Sequence, residues 1–503
     1  MTRRRFRHAV TAGLAGLALA VIGCAPLPAT GPGLATDAGP GRPADVDPGD
    51  EITAPPAWLT PERDLDWAPC ADDLTGAVAE SSTVSCSRVG ETPVLRLTTT
   101  STPDDAAPLV VVAGPETPPD ALAVRFAADG PELADTRPVV IVDHVGRNDA
   151  AGTCLTFPAR RTLDRLAERG VDPGSPELRG ELADTSQSCT DQLQGRELQF
   201  GASGAAEVLE QLRQQWNVPG LAVMGIGTGA RTALTYASTH PGRLSLLVLD
   251  SPAPHDGDQE TTARTALDGS DTALRLWAAS CTRPECGPGE ADQKIDAIEQ
   301  ALDRAMDPDA AIPAALLSDV VRSALSDLSG ASAADASPGD IILGELVTAG
   351  ADEIPPAVRA SAEELASTSL PYVAGCSDLS RRVPVNRIEE LDAEWAQTPP
   401  FGQILASQLS ACSTWPVPAP SPIELPGALH VLLIGGIADP VAGAAMIEST
   451  AGTLTAAGAV DVRTVTWGAP GARVVLQSAC ARAALVDFLD DPDAAEQSAA
   501  CSP

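Results

Sequence analysis

The sequence predicts an α/β fold: a mostly parallel β-sheet with helices on both faces and a helical cap inserted late in the chain. Three observations predict it. Short runs rich in Val, Ile and Leu alternate with helix-like segments, the pattern of strands buried on both faces. A long Ala-rich stretch then breaks that alternation, and strand-like runs resume before the C-terminus.

The elements follow in order. Residues 1–23 read as an export signal, because Arg3, Arg4, Arg5 and Arg7 precede an apolar run too short for a confident membrane span. Val21-Ile22-Gly23-Cys24 has the form of a bacterial lipobox, which makes Cys24 the expected site of lipid attachment. An ordinary cleaved signal with an incidental cysteine is the alternative, and "TRRRF" leaves the export route open between Sec and Tat. Residues 24–56, rich in Pro, Gly, Ala and Asp, read as a flexible tether on the outer side of the membrane.

The first part of the core is assigned to residues 57–251. Strands are expected at Pro93–Thr100, Pro108–Gly114, Pro138–His144, Leu221–Gly225 and Leu244–Asp250. A helix from about Gly204 to Trp216, capped by Ser203, places Val208, Leu209, Leu212 and Trp216 on one face. Residues 252–425 carry helical pattern without a strong strand run and form the cap. Residues 426–503 return to the core, with strands at Leu429–Gly436 and Val460–Trp467 and a last helix from Ser478 to Leu489. Ligands of such sheets sit outside the carboxyl ends of the strands, so the cap roofs the site.

Charge and cysteines narrow the function. The chain carries 33 basic and 68 acidic residues; loss of the signal's four arginines leaves 29 against 68, a net of −39. Such a surface argues against nucleic acid and anionic lipid as partners, leaving the lipid anchor as the membrane contact. With Cys24 assigned to lipid, ten of the 11 cysteines remain, an even number in an exported protein. Sequence leaves their connectivity open. The shortest loops couple Cys70 with Cys86, Cys154 with Cys189, Cys281 with Cys286, Cys376 with Cys412 and Cys480 with Cys501. No metal-type CxxC spacing and no cofactor motif occurs, so neither a metal nor a cofactor is expected.

"GIGTG", residues Gly225–Gly229, stands between an expected strand and a helix-like stretch, where α/β-hydrolases carry G-x-S-x-G. "DWAPC", "VVIVDHVGRNDA", "GIGTGARTALTYASTHPGRLSLLVLDS", "WAASCTRPEC" and "LIGGIADPVA" together resemble the tripeptidyl-aminopeptidase branch of the α/β-hydrolase serine exopeptidases. The resemblance runs from about Trp67 to Cys501 and implies an α/β-hydrolase fold. It also implies the positions of a triad in the order Ser, acid, His. The acid falls on Asp439. The nucleophile falls on Gly227 and the histidine on Gly471, neither of which has a side chain. Val145, Asn148 and Ala150 further depart from the family's D-x-R-G-x-G-x-S.

No substitute is evident nearby. Thr228 lies one residue past the apex, so its side chain is expected to point elsewhere. His240 lies at the far end of the following helix, and His430 precedes its strand at the wrong edge of the sheet. His144 and His255 follow strands and are candidates for the cleft, as are the carboxylates of Asp143 and Glu116. The family's oxyanion loop appears as "AGPETPP", where Glu116 and two extra prolines bring negative charge and remove N–H donors. Loss of a triad serine alone costs about a millionfold in serine hydrolases, roughly 8 kcal/mol. The expectation is therefore a lipid-anchored pseudoenzyme that binds a peptide or an envelope-protein partner. The alternative is an active serine- or threonine-type hydrolase with relocated machinery.

Overall fold

The computed structural model describes residues 54–502 apart from 80, 255–256, 329–335, 351–352, 425–428, 458 and 460. The expectations for Cys24, the signal, most of the tether and His255 lie outside the described residues. Ten strands form one sheet: β1 (Ala68–Pro69), β2 (Ser82–Val89), β3 (Thr92–Thr99), β4 (Leu109–Val112), β5 (Val139–Val142), β6 (Leu221–Ile226), β7 (Leu244–Asp250), β8 (His430–Ala438), β9 (Asp461–Pro470) and β10 (Ser498–Cys501). Their order is β1-β2-β3-β5-β4-β6-β7-β8-β9-β10. The pairs from β1 to β5 across β3 are antiparallel, and every pair from β5 to β10 is parallel. This is the α/β-hydrolase fold.

The sheet is apolar on both faces because alternate residues of each central strand feed different cores. Val111, Ile141, Met224, Val248 and Ile434 join Phe126, Leu133, Leu485 and Phe488 on one face. Val110, Val140, Val223, Leu247 and Leu433 join Leu209, Leu212, Trp216 and Tyr236 on the other. That double burial fixes the register, since a one-residue slip would exchange the two sets of side chains.

The helix expected from Gly204 spans Ala202–Trp216, and Ser203 is not its cap. The cap comes from far along the chain: Asp378 Oδ1 accepts from the Ala202 backbone N–H at 2.9 Å. The final helix spans Ala479–Asp490, with the Ser478 hydroxyl accepting from Ala481 N–H at 3.2 Å.

Between β7 and β8 the described residues form helices, from Gln259–Ser280 to Gly402–Gln408, and no strand. They enclose their own core around Trp277, Val320, Leu343, Trp395 and Phe401. The segment between β5 and β6 also leaves the sheet: Ala151, Cys154, Cys189, Leu193 and Phe200 pack with Leu370, Val373, Cys376 and Trp415. The cap is thus built from two parts of the chain. Disulfides join Cys70–Cys86, Cys154–Cys189, Cys281–Cys286, Cys376–Cys412 and Cys480–Cys501, in keeping with an exported protein. Among the described residues no helix is long and apolar enough to cross a membrane.

Candidate functional site

The site lies where β4, β6, β7, β8 and β9 end. β6 runs into the turn Gly227-Thr228, and the helix Gly229–Thr239 begins at once. The turn is tight because its flanking glycines touch backbone. A Cβ on Gly225 would stand 2.6 Å from Ala230 Cα, and one on Gly229 would stand 2.8 Å from the carbonyl carbon of Ala113. Gly227 itself has φ +58, the left-handed conformation in which a hydrolase elbow holds its nucleophile. Its N–H donates to Asp250 O at 2.9 Å, and its carbonyl accepts from Ala253 N–H at 3.1 Å.

Above this apex stands the carboxylate of Glu116. A Cβ on Gly227 would find Glu116 Oε1 at 3.9 Å and nothing nearer. The Thr228 hydroxyl donates to both oxygens of that carboxylate, each at 2.9 Å, and leans over Gly114, where any Cβ would collide with it. Thr228 is therefore committed to the β4 loop. Pro115 supplies no N–H there, and Thr117 N–H is used by Gly114 O at 3.0 Å in a turn. The β4 loop thus brings a carboxylate and an imino acid to the side of the turn facing Gly227.

Asp439 follows β8 and is wholly buried. Its Oδ1 accepts from Val441 N–H at 2.8 Å and Ala442 N–H at 2.9 Å, while its Oδ2 has no hydrogen-bond partner. Burial pushes this carboxyl above its ordinary range, against the Ala442 and Val441 amides and the Arg473 charge. Gly471 sits beside it, donating to Ala438 O at 3.0 Å. Its φ is +129, and a Cβ there would meet Gln477 Oε1 at 2.8 Å. The Gln477 amide is held in place by donating to Ser326 O at 3.0 Å and to Ala472 O.

The remaining candidates are engaged elsewhere. Asp143 is buried and accepts from Arg147 Nε at 2.7 Å; burial raises its pKa and Arg147 opposes the rise. His144 is buried, with Nδ1 3.1 Å from Val145 O, and desolvation brings its pKa down to about 4, so it stays neutral. His240 Nε2 lies 3.0 Å from Glu207 Oε1 at the far end of its helix. His430 begins β8, with Nδ1 3.9 Å from Asp493 Oδ1. Among the described residues the geometry brings Gly227, Thr228 and Glu116 together, and Asp439 with Gly471.

Two residues outside the sequence expectations shape the site. Gln477 fills the space beside Gly471, and sequence carries no signal for it. Ser251 follows Asp250, and its hydroxyl donates to Asp250 Oδ1 at 3.1 Å.

Residues 397–501 match the family described as TAP-like protein. No curated protein matches the chain. Solved structures similar to it include a membrane phospholipase A, described as a novel bacterial virulence factor, at 14% identity, covering 84% of this chain and 90% of that one, with TM-score 0.36. They also include the enol-lactonase of Burkholderia xenovorans LB400, at 12% identity, covering 81% and 100%, with TM-score 0.34. A third is the naproxen esterase of Bacillus subtilis, at 10% identity, covering 83% and 95%, with TM-score 0.34.

Proposed function

We propose that this chain is an exported, lipid-anchored pseudoenzyme, an α/β-hydrolase fold related to the tripeptidyl-aminopeptidases that binds a peptide or an envelope-protein partner without cleaving it. One observation carries the reading. The elbow keeps its left-handed backbone, yet its apex is Gly227 and the carboxylate of Glu116 stands 3.9 Å from where a side chain would begin. Acyl transfer needs a nucleophile, a base and donors for a developing negative charge. The apex offers a hydrogen, a glycine at the histidine position and a carboxylate. The Thr228 hydroxyl, the nearest replacement, is bonded to that carboxylate. The disulfides and the intact sheet support a fold retained for binding.

The test is labelling of the purified protein with a fluorophosphonate probe, beside thermal-shift measurements against a library of short peptides. The reading expects no labelling and at least one peptide family that raises the melting temperature. Labelling that disappears in Thr228→Ala would establish the relocated hydrolase instead. An absence of any peptide shift would remove the peptide version and leave a protein partner.

A further inference from the structure

The carboxylate over the elbow is not accounted for by the turn it faces. Glu116 and Thr228 are exposed, while Gly227 beneath them is buried. Capping of the helix Gly229–Thr239 does not explain it. Ala230 N–H donates to Gly227 O at 3.2 Å and Arg231 N–H to Thr228 O at 3.1 Å, so these helix amides fold back on the turn itself.

Nor does an ion pair explain it. Among the described residues no arginine or lysine pairs with Glu116. Arg147, the cation that reaches its loop, donates to Thr117 O at 3.0 Å and through Nε to Asp143 Oδ1 at 2.7 Å, so Asp143 matches its charge. What remains is one hydroxyl hydrogen, from Thr228, for a carboxylate that can accept about four bonds.

The placement of that hydroxyl decides what else fits. Thr228 Oγ1 lies 2.9 Å from each carboxylate oxygen, and so occupies the side between them, where the fork of a guanidinium docks. The outer lone pairs stay open, and Oε1 is the oxygen toward Gly227. A Cβ at 227 would find that oxygen at 3.9 Å and nothing nearer, so the glycine leaves room at Oε1 for a small donor. An anion is repelled there, and calcium requires about six or more oxygen ligands, beyond one carboxylate and one hydroxyl. A single N–H of an ammonium on an unbranched stem matches one outer lone pair. The chain's side chains do not supply it, because the one lysine, Lys294, is buried and donates to Cys281 O at 2.5 Å.

We propose, resting on the binding reading above, that the elbow apex is a lysine receptor: the ammonium of a lysine side chain on the bound peptide docks against Glu116 Oε1, in the space that Gly227 leaves.

Calorimetry with the full chain at neutral pH and low salt tests this, using N-acetylated tripeptide amides whose middle residue is lysine, Nε-acetyl-lysine or arginine. The lysine peptide should bind roughly threefold or more tighter than the other two, with the margin narrowing as salt is added. Glu116→Gln, which keeps the size and removes the charge, should abolish the margin over acetyl-lysine. Gly227→Ser should do the same, because its hydroxyl would fill the space at Oε1. Equal binding of the lysine and acetyl-lysine peptides to the unmodified chain overturns the receptor and leaves the peptide reading standing. A margin that persists in Glu116→Gln overturns it, as does arginine bound as tightly as lysine. If none of the three binds, the peptide reading falls and the receptor with it.

Discussion

The elbow geometry can be tested with three single substitutions, Gly225→Ala, Gly227→Ala and Gly229→Ala. Each adds one methyl group, yet the structure separates their costs. At Gly225 the new Cβ would stand 2.6 Å from Ala230 Cα and 2.9 Å from Ala230 N. At Gly229 it would press on the backbone of Val112 and Ala113. Backbone cannot swing aside as a flexible side chain can, so β6 or the helix must move. Overpacking costs roughly 1–3 kcal/mol, and backbone contacts this close put both variants at or above about 3 kcal/mol. At Gly227 the nearest atom is 3.9 Å away, an ordinary contact. What remains is the left-handed backbone at φ +58, which costs a residue with a Cβ roughly 1 kcal/mol. Part of that is offset by the reduced freedom of the unfolded chain. Urea unfolding of the three variants at one pH, with slopes compared, should give a midpoint near that of the unmodified chain for Gly227→Ala and much lower ones for the other two. Equal losses at all three positions would mean that Gly227 is not an apex with open space above it. The assignment of the nucleophile position would then fall.

Other outcomes follow from the same geometry. Gly227→Ser with Gly471→His should gain no fluorophosphonate labelling, because a histidine there meets Gln477 at an unfavourable φ and Glu116 still faces the apex; labelling should require Gln477→Ala and Glu116→Gly as well. His144, ordinarily near 6.5 and brought down to about 4, contributes stability that is fully present above about pH 6.5 and lost as pH falls toward 4, at most about 3 kcal/mol. Urea titrations of His144→Asn should show a shallower acid loss. Asp250 has the opposite sign: its contribution is complete below its ordinary 3.8 and lost as pH rises through about 7, so the fall in stability between about pH 5 and about pH 8 should shrink in Asp250→Asn, read by urea unfolding at each pH. Asp378→Ala should cost roughly 1 kcal/mol by uncapping the helix Ala202–Trp216, with faster amide exchange confined to its first turn.

What sequence revealed of this molecule follows burial. Strands β4 to β8 are legible because both faces are covered, so their residues are almost uniformly apolar. β2 is not, because as a strand near the antiparallel edge it alternates buried Ser82 and Val84 with exposed or half-buried polar residues. β10 is short and mostly exposed apart from Cys501, whose disulfide to Cys480 holds it in place. The cap on Ala202–Trp216 fails as a local inference for a different reason. Ser203 has the right chemistry, but Asp378, 176 residues away, has the right position. Among the site residues, positions 227 and 471 are singled out by the resemblance to the tripeptidyl-aminopeptidases, whereas the partners of Thr228 and the side chain beside Gly471 exist only in three dimensions.

Those three-dimensional partners bear on why the site would resist reversal. A glycine at the apex leaves the turn unstrained, and the space above it then accepts Glu116 with Thr228 as its donor. A glycine at 471 admits a φ of +129 and allows Gln477 to lie against it, anchored to Ser326 and Ala472. Each vacancy is now filled by a group that a restored side chain would have to displace. Asp439 keeps two backbone donors and one bare oxygen, and burial raises its pKa above the ordinary carboxylate range. A hydroxyl placed on Gly227 would stand next to the Glu116 carboxylate. On the pseudoenzyme reading proposed above, the substitutions at 227 and 471 would therefore be physically coupled to Glu116, Thr228 and Gln477, each of which occupies space beside a glycine.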